Sequence, residues 1–105
     1  MATAYLREYA NIAAAFGVSV QAGAEPGIAD QTITTSGTSA PSSAFNANTR
    51  VLCISTPAAQ AVACLFSATP GATPTALTSS LRLPANSMVF FGVRPGDIVA
   101  LIDVA

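Results

Sequence analysis

Arg94-Pro95-Gly96-Asp97 is the stretch of this chain that most resembles a site. An exposed loop could offer its Arg/Asp pair to a partner. The simpler reading is a solvated hairpin turn: Pro95 presets φ for the second position of a β-turn, and Gly96 tolerates the positive φ that a type II turn needs at the third. Asp97 and Asp103 fall on one inferred strand, but at about 3.3 Å per residue they stand roughly 20 Å apart, too far for paired carboxylate chemistry. Serine and threonine abound, yet no histidine or lysine is present to serve them as a base. Cys53 and Cys64 each sit in an apolar run (VLCIS, AVACLF) and read as small buried hydrophobes. A bridge stays open if those two runs form a hairpin that makes the thiols face each other. Neither GxGxxG nor GxxxxGK[ST] occurs, and no ligand cluster has metal-binding spacing. The residues therefore offer no catalytic, cofactor-binding or metal-ligating candidate, and the expectation is a protein that is not an enzyme.

Composition points the same way. Only 9% of the 105 residues are charged, with a net charge of −1, against an average near 25%. Nucleic-acid binding needs clustered cations, whereas Arg7, Arg50, Arg82 and Arg94 are scattered. No apolar run approaches the ~20 residues of a membrane-spanning helix. IAAAFGVSVQAGA mimics a secretion signal, but the residues before it include Arg7 and Glu8 and net to zero, where a signal needs positive charge. So little charge is a poor basis for a freely soluble monomer. It predicts an obligate homo-oligomer.

The elements follow from period-two alternation and turn residues. Tyr5, Arg7 and Tyr9 alternate with Leu6 and Glu8 as a short strand, and Val18 and Val20 suggest a second. Ala24-Glu25-Pro26-Gly27 is a linker. Gln31–Thr35 reads as a strand, then Thr49–Ser55, then Gln60–Ala68 with Val62, Cys64 and Phe66 on one face. A Pro/Gly/Thr loop covers 69–80. Leu81-Arg82-Leu83 is a short edge strand stopped by Pro84, and Met88–Val93 and Ile98–Val104 close the chain. About eight short strands and no helix predict an all-β sandwich or barrel of jelly-roll type. The expected organisation is an N-terminal arm or hairpin over 1–29 and a β-sandwich body over 30–105.

Aromatic and apolar residues without an obvious place in one core are the interface candidates. In the arm they are Tyr5, Leu6, Tyr9, Ile12 and Phe16, expected to pack away from the body, across a neighbouring subunit or a capsid. In the body, Phe90 and Phe91 point to opposite faces, so one of them needs a cover beyond the core. Arg94 completes the set.

Three stretches carry a family likeness: "ADQTITTSGTSAPSSAFNANTRVLCI", the loop "TPGATPTA", and "LRLPANSMVFFGVRPGDIVALI". With the opening "YLREYA" and "EPGIADQ", the chain resembles small virion structural proteins of tailed bacteriophages, of the capsid decoration or cement kind. That resemblance implies a jelly-roll or sandwich domain, frequently trimeric, docked on the major capsid protein at the virion surface. Another virion part (head–tail joining, tail or fibre base) and a carbohydrate-binding sandwich are the alternatives.

Overall fold

The computed structural model describes the backbone of residues 2–15, 18–23 and 27–104, and side chains outside 12–26. Among the described residues ten strands are formed and no helix, so the fold is all-β. β1 (Ala2–Tyr9), β4 (Ala29–Thr35), β6 (Val51–Ser55) and β9 (Met88–Gly92) make one antiparallel sheet in the order β4-β1-β6-β9. β5 (Ala40–Pro41), β7 (Val62–Phe66), β8 (Leu81–Leu83) and β10 (Val99–Asp103) make the second, in the order β5-β10-β7-β8. β2 (Ile12–Ala15) and β3 (Val18–Gly23) pair as a separate hairpin.

From β4 onward, strands β5, β7, β8 and β10 lie in the second sheet, while β4, β6 and β9 lie in the first. This alternation is the path of a jelly roll. A jelly roll's last strand inserts between the first and third of that path. Here β1 occupies that place, between β4 and β6, so the early part of the chain supplies the strand that normally comes late. The exchange is compatible with the geometry because the outer ends of β1 and β10 meet: Ala2 pairs with Thr35, and Asp103 N–H donates to the neighbouring Ser36 carbonyl at 2.8 Å.

Inner faces build the core from Ala4, Leu6, Ile33, Leu52, Ile54, Val62, Cys64, Leu83, Val99 and Leu101, with Phe45 from a loop. Each fully buried Leu, Ile or Val contributes about 1.5–3 kcal/mol of transfer free energy. Outside the second sheet, Ala63, Ala100, Ile102 and Val104 cluster with Ala76 from the 69–80 loop. β10 is thus apolar on both faces and buried on both, which suits an inner strand.

Two expectations are corrected, and one open alternative is closed. Residues 2–9 are not an arm, since β1 is hydrogen-bonded on both sides within the sandwich and Leu6 is core. The alternation over Tyr5–Tyr9 is that of a strand, but alternation alone cannot separate an inner strand from a detached one. Next, Arg94–Asp97 does form the expected turn, with Gly96 at φ +78° and Asp97 N–H donating to the Arg94 carbonyl at 3.3 Å. It does not close a hairpin, because β9 and β10 belong to different sheets. β6 and β7 also lie in different sheets, so the thiols do not face each other: Cys64 packs in the core and Cys53 on the outer face, and neither is in a disulfide.

Candidate functional site: the outer face of the first sheet

The antiparallel register arranges the outer face of the first sheet in rows. Thr32, Tyr5, Ser55 and Met88 form one row, and Asp30, Arg7, Cys53 and Phe90 the next. Tyr9 and Val51 continue it. β3 lies against β6 and β9. On this face Tyr9, Val51 and Cys53 are buried and packed with Phe90, whereas Tyr5 is 59% and Met88 66% exposed. The hairpin shelters one end of the face and leaves the other open.

The open end is a groove enclosing about 480 Å³, lined by Tyr5, Arg7, Gln31, Thr32, Ser55 and Met88 among others. Its charged rim is a pair in which Arg7 Nε donates to Asp30 Oδ1 at 2.9 Å. Both partners are about half-exposed, so the pair fixes orientation more than it stabilises. The chemistry on offer is adhesive: one exposed aromatic ring, one exposed thioether, and a rim of amide, hydroxyl and charged groups. Among the described residues, no three His, Cys, Asp or Glu side chains gather as a metal-binding group.

A second depression of about 350 Å³ is lined by Arg50, Phe66, Ser67, Val93, Arg94 and Asp97 among others. Here the sequence reading needs correction, because Asp97 does not wet a turn. It is 4% exposed and joins three segments. Its Oδ1 accepts from Gly71 N–H at 2.9 Å, and its Oδ2 accepts from Arg94 Nε at 2.6 Å. Arg94 Nη2 also donates to the Ser67 carbonyl at 2.9 Å. The Gly71 amide, ahead of the Arg94 guanidinium and against the cost of burial, holds the Asp97 carboxyl below its ordinary 3.8. Gly71 itself sits at φ +76°, a backbone state that suits glycine at the point where its amide meets the carboxylate. Arg94 is thus a structural tie with half its side chain still in solvent.

The other interface candidates are dispersed. Tyr5 lines the groove and Tyr9 is sealed at its sheltered end, 6.2 Å from the Phe90 ring. Phe90 is half-buried on the outer face, while Phe91 turns inward against Phe66 at 5.1 Å between ring centres. Leu6, at 1% exposure, has no surface to present. The Ile12 side chain and Phe16 lie outside the described residues.

Sequence reasoning passed over Glu8. Its carboxylate is 3% exposed and accepts from Asn46 N–H and Thr49 Oγ1, both at 2.7 Å, and from Gln31 Nε2 at 3.3 Å. The signal was its parity with Leu6, which places it on the inward face. Met88 was also passed over as a surface residue; an edge position is not legible before strand order is known.

No family model, curated protein or solved structure matches the chain.

Proposed function

We propose that the chain is a non-enzymatic structural protein of a tailed-bacteriophage virion, a decoration or cement protein that binds the major capsid protein lattice and itself. The observation that carries this reading is the open groove beside Tyr5 and Met88, an adhesive surface on a rigid sheet in a chain with 9% charged residues. Such a surface gains by being covered, and a capsid lattice offers many equivalent covers. The likeness of the loop and strand segments to phage virion proteins supplies the identity of the partner. No nucleic acid, membrane or cofactor enters this role.

The test is co-sedimentation with undecorated capsids. Retention in hundreds of copies per particle is the expected result, weakened at least tenfold by Tyr5→Ser with Met88→Ser. Absence of binding would refute the capsid role, and a few copies at one vertex would move the protein to the tail or head–tail joint.

One observation favours a second reading. Tyr5 is exposed beside Arg7, Asp30, Gln31 and Thr32, which is the combination of ring and polar groups that a sugar platform uses. A glycan-array signal abolished by Tyr5→Ser would select that reading over the capsid.

A further inference from the structure

The two sheets end in four edge strands: β4 and β9 in the first, β5 and β8 in the second. Unpaired edges invite another strand, and proteins blunt them with charge, proline, shortness or a covering segment. Among the described residues, three of these four are blunted. β5 is two residues long and includes Pro41. β8 has three residues, with Arg82 at its centre and Pro84 immediately after. β4 carries Asp30, and its Gln31 side chain ties down the passing chain by accepting from Ser43 N–H at 2.9 Å. β9, Met88-Val89-Phe90-Phe91-Gly92, has five residues with neither charge nor proline.

Its hydrogen-bonding parity is fixed at both ends. Thr56 N–H donates to the Ser87 carbonyl at 2.8 Å, and Val93 N–H donates to the Arg50 carbonyl at 2.9 Å. In an antiparallel ladder, alternate residues bond to the same neighbour. Residues 87, 89, 91 and 93 therefore turn their backbone groups toward β6, and Met88, Phe90 and Gly92 turn theirs outward.

We propose that this edge pairs with β9 of a second copy of the chain, antiparallel, about a two-fold axis at Phe90. That register is self-complementary at each level. Met88 falls opposite Gly92 of the partner subunit and Phe90 opposite its own symmetry mate, so every outward-facing amide and carbonyl of the three residues meets a counterpart. On the outer face the exposed Met88 side chain covers the place where the partner's Gly92 has none. On the inner face Val89 lies beside the partner's Phe91. A strand without charge meets its own copy without like-charge repulsion. The product is one continuous eight-stranded sheet, and the contact is isologous. It makes the elementary assembly a dimer, in place of the trimer that the resemblance to virion proteins implies.

The experiment uses the whole chain. Native mass spectrometry at micromolar concentration is expected to give twice the 10.5 kDa chain mass; a monomer, or a trimer without dimer, overturns the proposal. Met88→Pro removes an outward amide and no bond to β6, at the strand's first position where proline is tolerated. It is expected to shift the dimer to monomer by at least tenfold in dissociation constant with an unchanged circular dichroism spectrum. An unaltered dimer overturns the proposal. Register is read by Phe90→Cys in a Cys53→Ala background, which removes the thiol paired with position 90 in the same chain. Hydrogen-bonded cross-strand Cα atoms lie about 5.5 Å apart, within disulfide range. Copper-phenanthroline oxidation is expected to give a covalent dimer, while Met88→Cys in the same background, about 13 Å from its mate, gives none. The reverse pattern overturns the proposed axis. Capsid binding enters none of these readouts, so the proposal stands or falls apart from the capsid role.

Discussion

The two sides of the sandwich close differently. At the β4/β5 side the chain itself seals the gap. Ile33 and Thr35, facing inward from β4, are 5% and 0% exposed, and the segment after β5 follows β10, with Ser42 N–H donating to the Val99 carbonyl at 2.7 Å. Glu8 and Gln31 pin residues 43–49 across that side. At the β8/β9 side nothing comparable is described. Leu81 has the inward parity of Leu83 yet is 56% exposed, and Val89 and Phe91 are only half-buried. The same alternating pattern thus serves two ends: where a loop returns, apolar residues become core, and where none does, they become a surface that association can cover.

The largest expected effect breaks the closed side outright. Removing residues 1–20 takes out β1, leaving β4 and β6 without their shared neighbour and the core without Ala4 and Leu6. The truncated chain is expected to show no cooperative thermal transition. A folded body would restore the detached-arm organisation. Next in size is Glu8→Ala, which takes the acceptor from the buried Thr49 hydroxyl and the part-buried Asn46 amide, while Gln31 Nε2 keeps the Ser43 carbonyl. Its cost is about 2–4 kcal/mol by urea titration, the sum of unmade buried hydrogen bonds. A loss below about 1 kcal/mol would mean that water already satisfies those donors.

Much of the sandwich was legible from alternation and turn residues. Leu81-Arg82-Leu83 was recognised as an edge because Pro84 ends it, and Gly96 announced its own positive φ. The faces of β7 were also legible, since Val62, Cys64 and Phe66 share one parity. What stayed hidden depends on non-local pairing. Nothing near Tyr5 tells that β1 enters between strands 20 to 50 residues away, and a turn sequence is the same whether it closes a hairpin or crosses between sheets. Polar residues stayed hidden for a related reason: Asp97 reads as a solvent-facing charge and Glu8 goes unnoticed, because the donors that make their burial tolerable, Thr49 and the Gly71 amide, come from distant segments. The groove was half visible, through Tyr5, and half not, through Met88.

A smaller effect should come from the carboxylate that ties the other loop. Asp97 has its folded-state pKa below the unfolded value near 3.8. A lowered carboxyl contributes stability that is fully present above the unfolded pKa and is lost as pH falls through the folded one. Stability is therefore expected to be flat in this contribution above about pH 5 and to decline into the acid range. Asp97→Asn, followed by urea titration from pH 6 downward, should flatten that decline relative to the native chain. An equal acid slope in both would show that the Gly71 amide does not favour the charged form. The buried Cys64 thiol, pushed up to about 11 by burial, adds no slope in that range.

The smallest effect belongs to the open side, and a matched pair of substitutions measures it. Ile33 and Leu81 both face inward, from β4 and β8, but differ in exposure, 5% against 56%. Ile33→Ala removes contacts on every side and leaves a cavity, at a cost of about 2–5 kcal/mol. Leu81→Ala exchanges a largely hydrated side chain for a smaller one, and about 0.5 kcal/mol is the scale for surface substitutions. Both are to be measured by urea titration at nanomolar concentration, where association is suppressed and each chain reports its own closure. A gap of several-fold between the two costs is the expected outcome. Equal costs would mean that the β8/β9 side closes in solution as tightly as the other, and the contrast between the sides would fall with it.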